Sequence, residues 1–161
     1  MKKILLLLIF GLFSLAPAVA QDVQVIKLAD LNNLLKQPKE GVVLINFWAT
    51  WCRPCIEEMP YFSKAQAAYA DKGVKMYFIS LDDVEILESR VKPFVKKKKL
   101  NGTVMLLDET DQNAFINRVD PQWSGAIPTT IILSGKQRKL IEGKMEPQEL
   151  EALLNKYTSV P

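Results

Sequence analysis

The sequence predicts an α/β domain built on a mixed sheet, and three observations predict it. Segments of strand character alternate with segments of helical periodicity along most of the chain. The last two strand-like segments are separated only by the turn Ser134 to Lys136, so they form an antiparallel hairpin after a run of helix-linked strands. An unbroken apolar segment, Val42 to Trp48, is short, rich in β-branched and aromatic residues, and preceded by Gly41, as a buried central strand would be.

Taken in order, Asp22 to Lys27 alternates weakly and reads as a short first strand. Leu28 to Gln37 carries Leu28, Leu31, Leu34 and Leu35 at helical spacing, and Pro38 to Gly41 turns the chain into the central strand. After Ala49-Thr50-Trp51 a second helix follows, with Ile56, Met59, Phe62 and Ala65 on one face, running to about Asp71. Pro60 inside it predicts a kink. Val74 to Leu81 is a mostly buried strand. Asp82-Asp83 caps a helix from Val84 to Lys99 that Pro93 bends or splits. The run Lys96 to Lys99 reads as a solvated helix end favoured by the C-terminal dipole, with an anionic partner surface as the alternative. Asn101-Gly102 turns into a strand at Thr103 to Leu107. A short helix at Asn113 to Val119 and a loop holding Trp123 follow. Thr129 to Leu133 and Gln137 to Glu142 form the hairpin, and Pro147 opens a last helix carrying Leu150, Leu153, Leu154 and Tyr157 on one face.

The chemistry concentrates at Cys52-Arg53-Pro54-Cys55, where the central strand gives way to a helix. A helix N-terminus carries about half a positive charge and unpaired N–H groups, and both stabilise a thiolate. A cysteine placed there falls below the free thiol pKa of about 8.5, and the thiolate is the species that attacks disulfides. Cys52 is therefore expected to be the exposed nucleophile, with Cys55, one turn in and more buried, as the resolving partner. Pro54 suits the first turn, where a missing N–H costs little. Arg53 either favours the thiolate by its charge or is an exposed side chain of small effect. Trp51 is expected to form an apolar rim for partner docking and Trp48 to pack in the core, while Trp123 either borders the same surface or packs its loop. A zinc site is disfavoured because the chain has two cysteines and no histidine, and a structural staple because so small a loop removes little unfolded-state entropy.

The stretch INFWATWCRPCIEEMP, with Ile127-Pro128-Thr129 far downstream, resembles the TlpA/ResA-like branch of the thioredoxin superfamily, secreted thiol-disulfide oxidoreductases. The resemblance covers nearly all of residues 21–161, implies one thioredoxin-like domain there, and implies a βα insertion between the active-site helix and the proline, somewhere in Val84 to Val119. It implies a cis Ile127–Pro128 bond beside the cysteines, with the Ile127 backbone as a docking edge for an extended substrate. It places an acidic residue at Glu58, one helical turn after Cys55; if buried, its raised pKa would let it exchange protons with a thiol, whereas an exposed Glu58 would be a surface residue like Glu57. Asn46 occupies the strand position where plain thioredoxins carry a buried Asp. An amide cannot accept a proton at neutral pH, so that thioredoxin role is not expected here.

Residues 1–20 read as a cleaved signal peptide: Lys2 and Lys3, an apolar stretch from Ile4 to Leu15, and Ala18-Val19-Ala20 as the cleavage signal before Gln21. This implies export to the periplasm, where disulfides persist. Removal lowers the net charge from +3 to +1, which gives no case for nucleic-acid or membrane-surface binding. The expected function is a periplasmic thiol-disulfide oxidoreductase, a reductase of partner-protein disulfides recharged by a membrane electron donor, with a role in cytochrome c maturation implied by the resemblance. No metal or organic cofactor is expected. The rival readings are a disulfide oxidant or isomerase and a non-enzymatic thioredoxin-like binding module. A peroxiredoxin is disfavoured because its Pro-x-x-x-Thr/Ser-x-x-Cys pattern would need Ile45 and Ala49 to be Pro and Thr or Ser.

Overall fold

The architecture, seen in a computed structural model that describes residues 22–36 and 41–159, grows outward from strand β2 (Val42–Trp48), all seven of whose residues are buried. Neighbours in a strand point to opposite faces, so β2 feeds two cores at once. Val42, Leu44 and Trp48 enter one cluster, and Val43, Ile45 and Phe47 enter the other. Burying one such side chain is worth roughly 1.5–3 kcal/mol, so β2 helps to stabilise both cores.

Strand β1 (Gln24–Ile26) and helix α1 (Leu28–Leu35) precede it, and helix α2 (Arg53–Tyr69) follows. Then come β3 (Val74–Ser80), α3 (Lys92–Lys98), β4 (Thr103–Leu107), α4 (Gln112–Val119), β5 (Thr129–Ser134), β6 (Gln137–Glu142) and α5 (Pro147–Thr158). The element order is the one the sequence predicts. The sheet runs β1-β4-β3-β2-β5-β6, parallel from β1 to β2 and antiparallel across β5 and β6. The segment 84–119, where the insertion is expected, contributes β4 between β1 and β3 and α4 on the face of the second cluster. Helices α2, α3 and α5 cover the first cluster and α1 and α4 the second. The short β1 and the hairpin strand β6 are the two edges.

Three local expectations need correction. The single helix expected over Val84 to Lys99 is three pieces: a 3₁₀ turn at Val84–Ile86, a π-helical turn at Leu87–Val91, and α3. Pro93 has no N–H to donate backward, so regular α-helix starts at Lys92, with Pro93 in the first turn where no donor is missed. Of the Asp82-Asp83 pair only Asp83 caps, its Oδ1 accepting from the Glu85 N–H at 2.8 Å; Asp82 turns inward. Helix α2 ends at Tyr69, and Ala70–Lys72 is a 3₁₀ turn closed by Gly73 at φ 75°. Lys96, Lys97 and Lys98 occupy the last turn of α3, where they complement the dipole. The signal-peptide reading of residues 1–20 and most of the turn at 38–41 fall outside the described residues. Among the described residues no helix is long and apolar enough to cross a membrane.

Candidate active site

The end of β2 delivers the chain to α2 through Ala49-Thr50-Trp51. The Cys52 N–H donates to the Ala49 carbonyl at 3.1 Å, closing a tight turn, and Cys52 is the N-cap of α2. Its Sγ accepts from the Cys55 N–H at 3.3 Å, one of the orphan donors of a helix start, and Pro54 in the first turn has no donor to lose. The two sulfurs form a disulfide, S–S 2.03 Å, with Cα atoms 5.3 Å apart. Cys52 is 6% exposed and Cys55 0%. The expectation of an exposed nucleophile is thus corrected: Cys52 is the more accessible of the two cysteines, but in the disulfide it is itself buried and belongs to the first cluster.

One turn along α2 from Cys55, Glu58 enters a buried polar network. Asn46 lies on the same face of β2 as Leu44 and Trp48, toward α2. Its Nδ2 donates to Glu58 Oε1 at 2.8 Å and to Thr130 Oγ1 of β5 at 3.0 Å. Glu58 Oε2 accepts from the Met145 N–H at 2.8 Å. Glu58 is 1% exposed, and burial pushes its carboxyl above the usual carboxylate range, against the lowering effect of the Met145 and Asn46 hydrogen bonds and of Lys144. Asn46 Oδ1 and Trp48 Nε1 are buried without a hydrogen-bond partner among the described residues. Across the sheet, Thr129 of β5 pairs with Phe47, which carries the preceding Ile127–Pro128 segment past the C-terminal end of β2; the bond between them is cis.

A cysteine pair at a helix N-terminus is the arrangement that thiol-disulfide exchange uses. Residues 12–140 match the AhpC/TSA family. The chain belongs to that family. Within this family of thioredoxin-like proteins it is a ResA-like thiol-disulfide oxidoreductase. It is 35% identical over 126 residues to the thiol-disulfide oxidoreductase ResA of Bacillus cereus, covering 77% of this chain and 68% of that one. A thioredoxin-related protein from Neisseria meningitidis serogroup B has a similar structure, with TM-score 0.61, 26% identity, and 78% and 90% of the two chains covered. A thioredoxin-family thiol:disulfide interchange protein from Chlorobium tepidum, with TM-score 0.62 and 22% identity over 79% and 84% of the chains, shares the fold. Thioredoxin-like oxidoreductases work through their cysteine pair, without a cofactor. Among the described residues no group of three or more Cys, Asp or Glu side chains is placed to hold a metal ion.

The family frame sorts the remaining candidates. Trp51 is 62% exposed and Trp48 fully buried, stacked on Phe94 at 5.3 Å. Trp123 packs its loop: it lies 4.8 Å from Phe47 and 6.0 Å from Phe115, and its Nε1 donates to the Ala126 carbonyl. Arg53 is nearly fully exposed, and its Nε donates to Glu57 Oε1 at 3.0 Å, so its charge is turned outward and partly met. Trp51 and Ile127 line one groove of 180 Å³ with Leu81, Leu107, Phe115 and Ile116. Neither backbone group of Ile127 is hydrogen-bonded among the described residues. Sequence reasoning missed Thr130 and the Met145 amide, which complete the Glu58 network from distant segments. It also missed Asp82, whose only sequence signal is its place just after a buried strand.

Proposed function

We propose that the protein is a periplasmic reductase of partner-protein disulfides. The Cys52 thiolate attacks one sulfur of the partner disulfide, forming a Cys52–partner bond as the partner S–S bond breaks and its first sulfur leaves and is protonated. Cys55 then gives its proton to Glu58 and attacks Cys52 Sγ, forming Cys52–Cys55 and releasing the second partner thiol. The two electrons pass from the dithiol to the partner. The observation that carries the exchange chemistry is the Cys52–Cys55 disulfide at the N-terminus of α2, and the buried Glu58 carboxyl, three residues along that helix from Cys55 and raised in pKa by burial, is the group assigned to take the resolving thiol's proton. Asn46 orients that carboxyl, and Pro54 sets the first turn. The open backbone of Ile127, next to Pro128, pairs with an extended substrate segment, and Trp51 gives it an apolar rest. Recharging requires a dithiol donor, which in the periplasm is a membrane electron-transfer protein. A natural client is an apocytochrome c whose haem-binding C-x-x-C-H cysteines must be reduced.

An equilibrium titration of the pair in defined thiol buffers tests the direction. A potential near thioredoxin's, about −270 mV, is expected; one near the strong periplasmic oxidants, about −120 mV, overturns the reductase reading. Failure to reduce an oxidised C-x-x-C-H peptide above the buffer background removes the cytochrome role alone. Trp51→Ala is expected to leave stability within about 0.5 kcal/mol, since the side chain is mostly in solvent, while raising KM for a protein disulfide several-fold. An unchanged KM would show that substrates do not use this rim.

A further inference from the structure

One buried carboxylate takes no part in the exchange steps above. Asp82, two residues past the end of β3, is 3% exposed. Its Oδ2 accepts from the Thr50 N–H at 2.8 Å and from the Ser80 hydroxyl at 2.8 Å, and its Oδ1 accepts from the Thr50 hydroxyl at 2.7 Å. The adjacent Leu81 N–H donates to the Trp48 carbonyl at 2.8 Å. Asp82 thus holds both the backbone and the side chain of Thr50, in the loop between β2 and the cysteines. Among the described residues no lysine or arginine pairs with it.

Burying an unpaired carboxylate is costly, and a neutral side chain would tie two loops together for less. Three donors satisfy this one as an anion, and hydrogen bonds to a charged acceptor are roughly twice as strong as neutral ones. The charge also reaches the sulfur. Two residues of chain span at most about 7 Å, so the carboxylate bonded to the Thr50 amide lies within about 10 Å of the Cys52 backbone. A buried negative charge near a thiol, poorly screened by salt, works against its ionisation. Its sign opposes that of the helix N-terminus: it disfavours the thiolate, hence the reduced pair.

We propose that Asp82 is a positioning residue for the exchange reaction, clamping the loop that presents Cys52 and biasing the pair toward giving up its electrons. This rests on Cys52 being the attacking sulfur. The test follows alkylation of the reduced full chain against pH, with the modified sulfur located by mass spectrometry, and the equilibrium with glutathione. In the wild type the low-pKa sulfur maps to Cys52; mapping to Cys55 would overturn the Cys52 assignment and this proposal with it. Asp82→Asn is expected to lower the Cys52 value by about one unit and to shift the glutathione equilibrium about tenfold toward the dithiol, about 30 mV. A folded Asp82→Asn with wild-type titration and potential overturns the proposal while leaving Cys52 as the nucleophile. Thr50→Val keeps the charge and loses one bond of the clamp; disulfide reduction should slow about fivefold with an unchanged thiol titration, and Thr50→Ser should restore it. A wild-type rate in folded Thr50→Val overturns the clamp even where Asp82→Asn does not fold.

Discussion

Cys55→Ser is expected to convert the enzyme into a trap. The attacking sulfur remains, so the first exchange proceeds, but no second thiol releases the Cys52–partner bond, and mixed disulfides accumulate. Cys52→Ser is expected to reduce turnover to the thiol-buffer background and to trap nothing, because the remaining sulfur is the fully buried one. Non-reducing gels with mass spectrometry of the captured chains read both results. Equal trapping by the two variants would mean that the small difference in burial between the sulfurs does not decide which one attacks. A Cys52→Ser variant of full activity would make the chain a binding module.

Glu58→Gln is expected to slow turnover about a hundredfold, the usual weight of a positioned proton acceptor, with the loss confined to the resolving step. The amide cannot take the Cys55 proton. The pH profile gives the sharper signature. Glu58 must be ionised to accept a proton, so wild-type activity rises with pH through its raised titration, and the variant loses that limb. Stability moves the opposite way. Burial raises the folded-state carboxyl above its unfolded value, so the native protein holds the proton more tightly than the unfolded chain. Wild-type stability therefore falls as pH rises from the unfolded value through the folded one. Lys144, Glu146 and the Met145 amide face this carboxyl and tune the window. The variant lacks this slope, so its melting temperature relative to wild type should rise across that interval. Parallel melting curves would mean that Glu58 does not titrate there; an unchanged resolving rate would remove its role in proton transfer.

Much of the fold was legible because its signals are local. The period of the apolar residues marks most of the strands and helices, and the seven-residue run of β2 announces its own burial. The cysteine pair was equally plain, since a C-x-x-C followed by helical spacing needs no tertiary information. Apart from the local effect of Pro93 on the helix expected over Val84 to Lys99 and the 3₁₀ turn that ends α2, the errors and omissions depend on which distant segment comes near. Nothing around Asp82 reveals that it reaches back 32 residues to Thr50, and two adjacent aspartates before a helix suggest capping for both. The Met145 amide meets Glu58 across 87 residues, so the burial of Glu58 could be posed as a condition but not decided. Trp123 could pack or border the site, and only the approach of Phe47 and Phe115 settles it.

The borders of the sheet carry a further consequence. Under the proposed function the protein meets client chains whose own backbone groups are unsatisfied and ready to add to any open strand. Its β1 offers three residues, too few to template pairing, and β6 exposes Gln137 and Lys139 to solvent. Short strands and charged side chains are the common protections against intermolecular zippering. With both margins defended, the unpaired backbone at Ile127 is, under the proposed function, where a client would lie along the protein briefly and depart, so that contact with sticky chains would not end in co-aggregation.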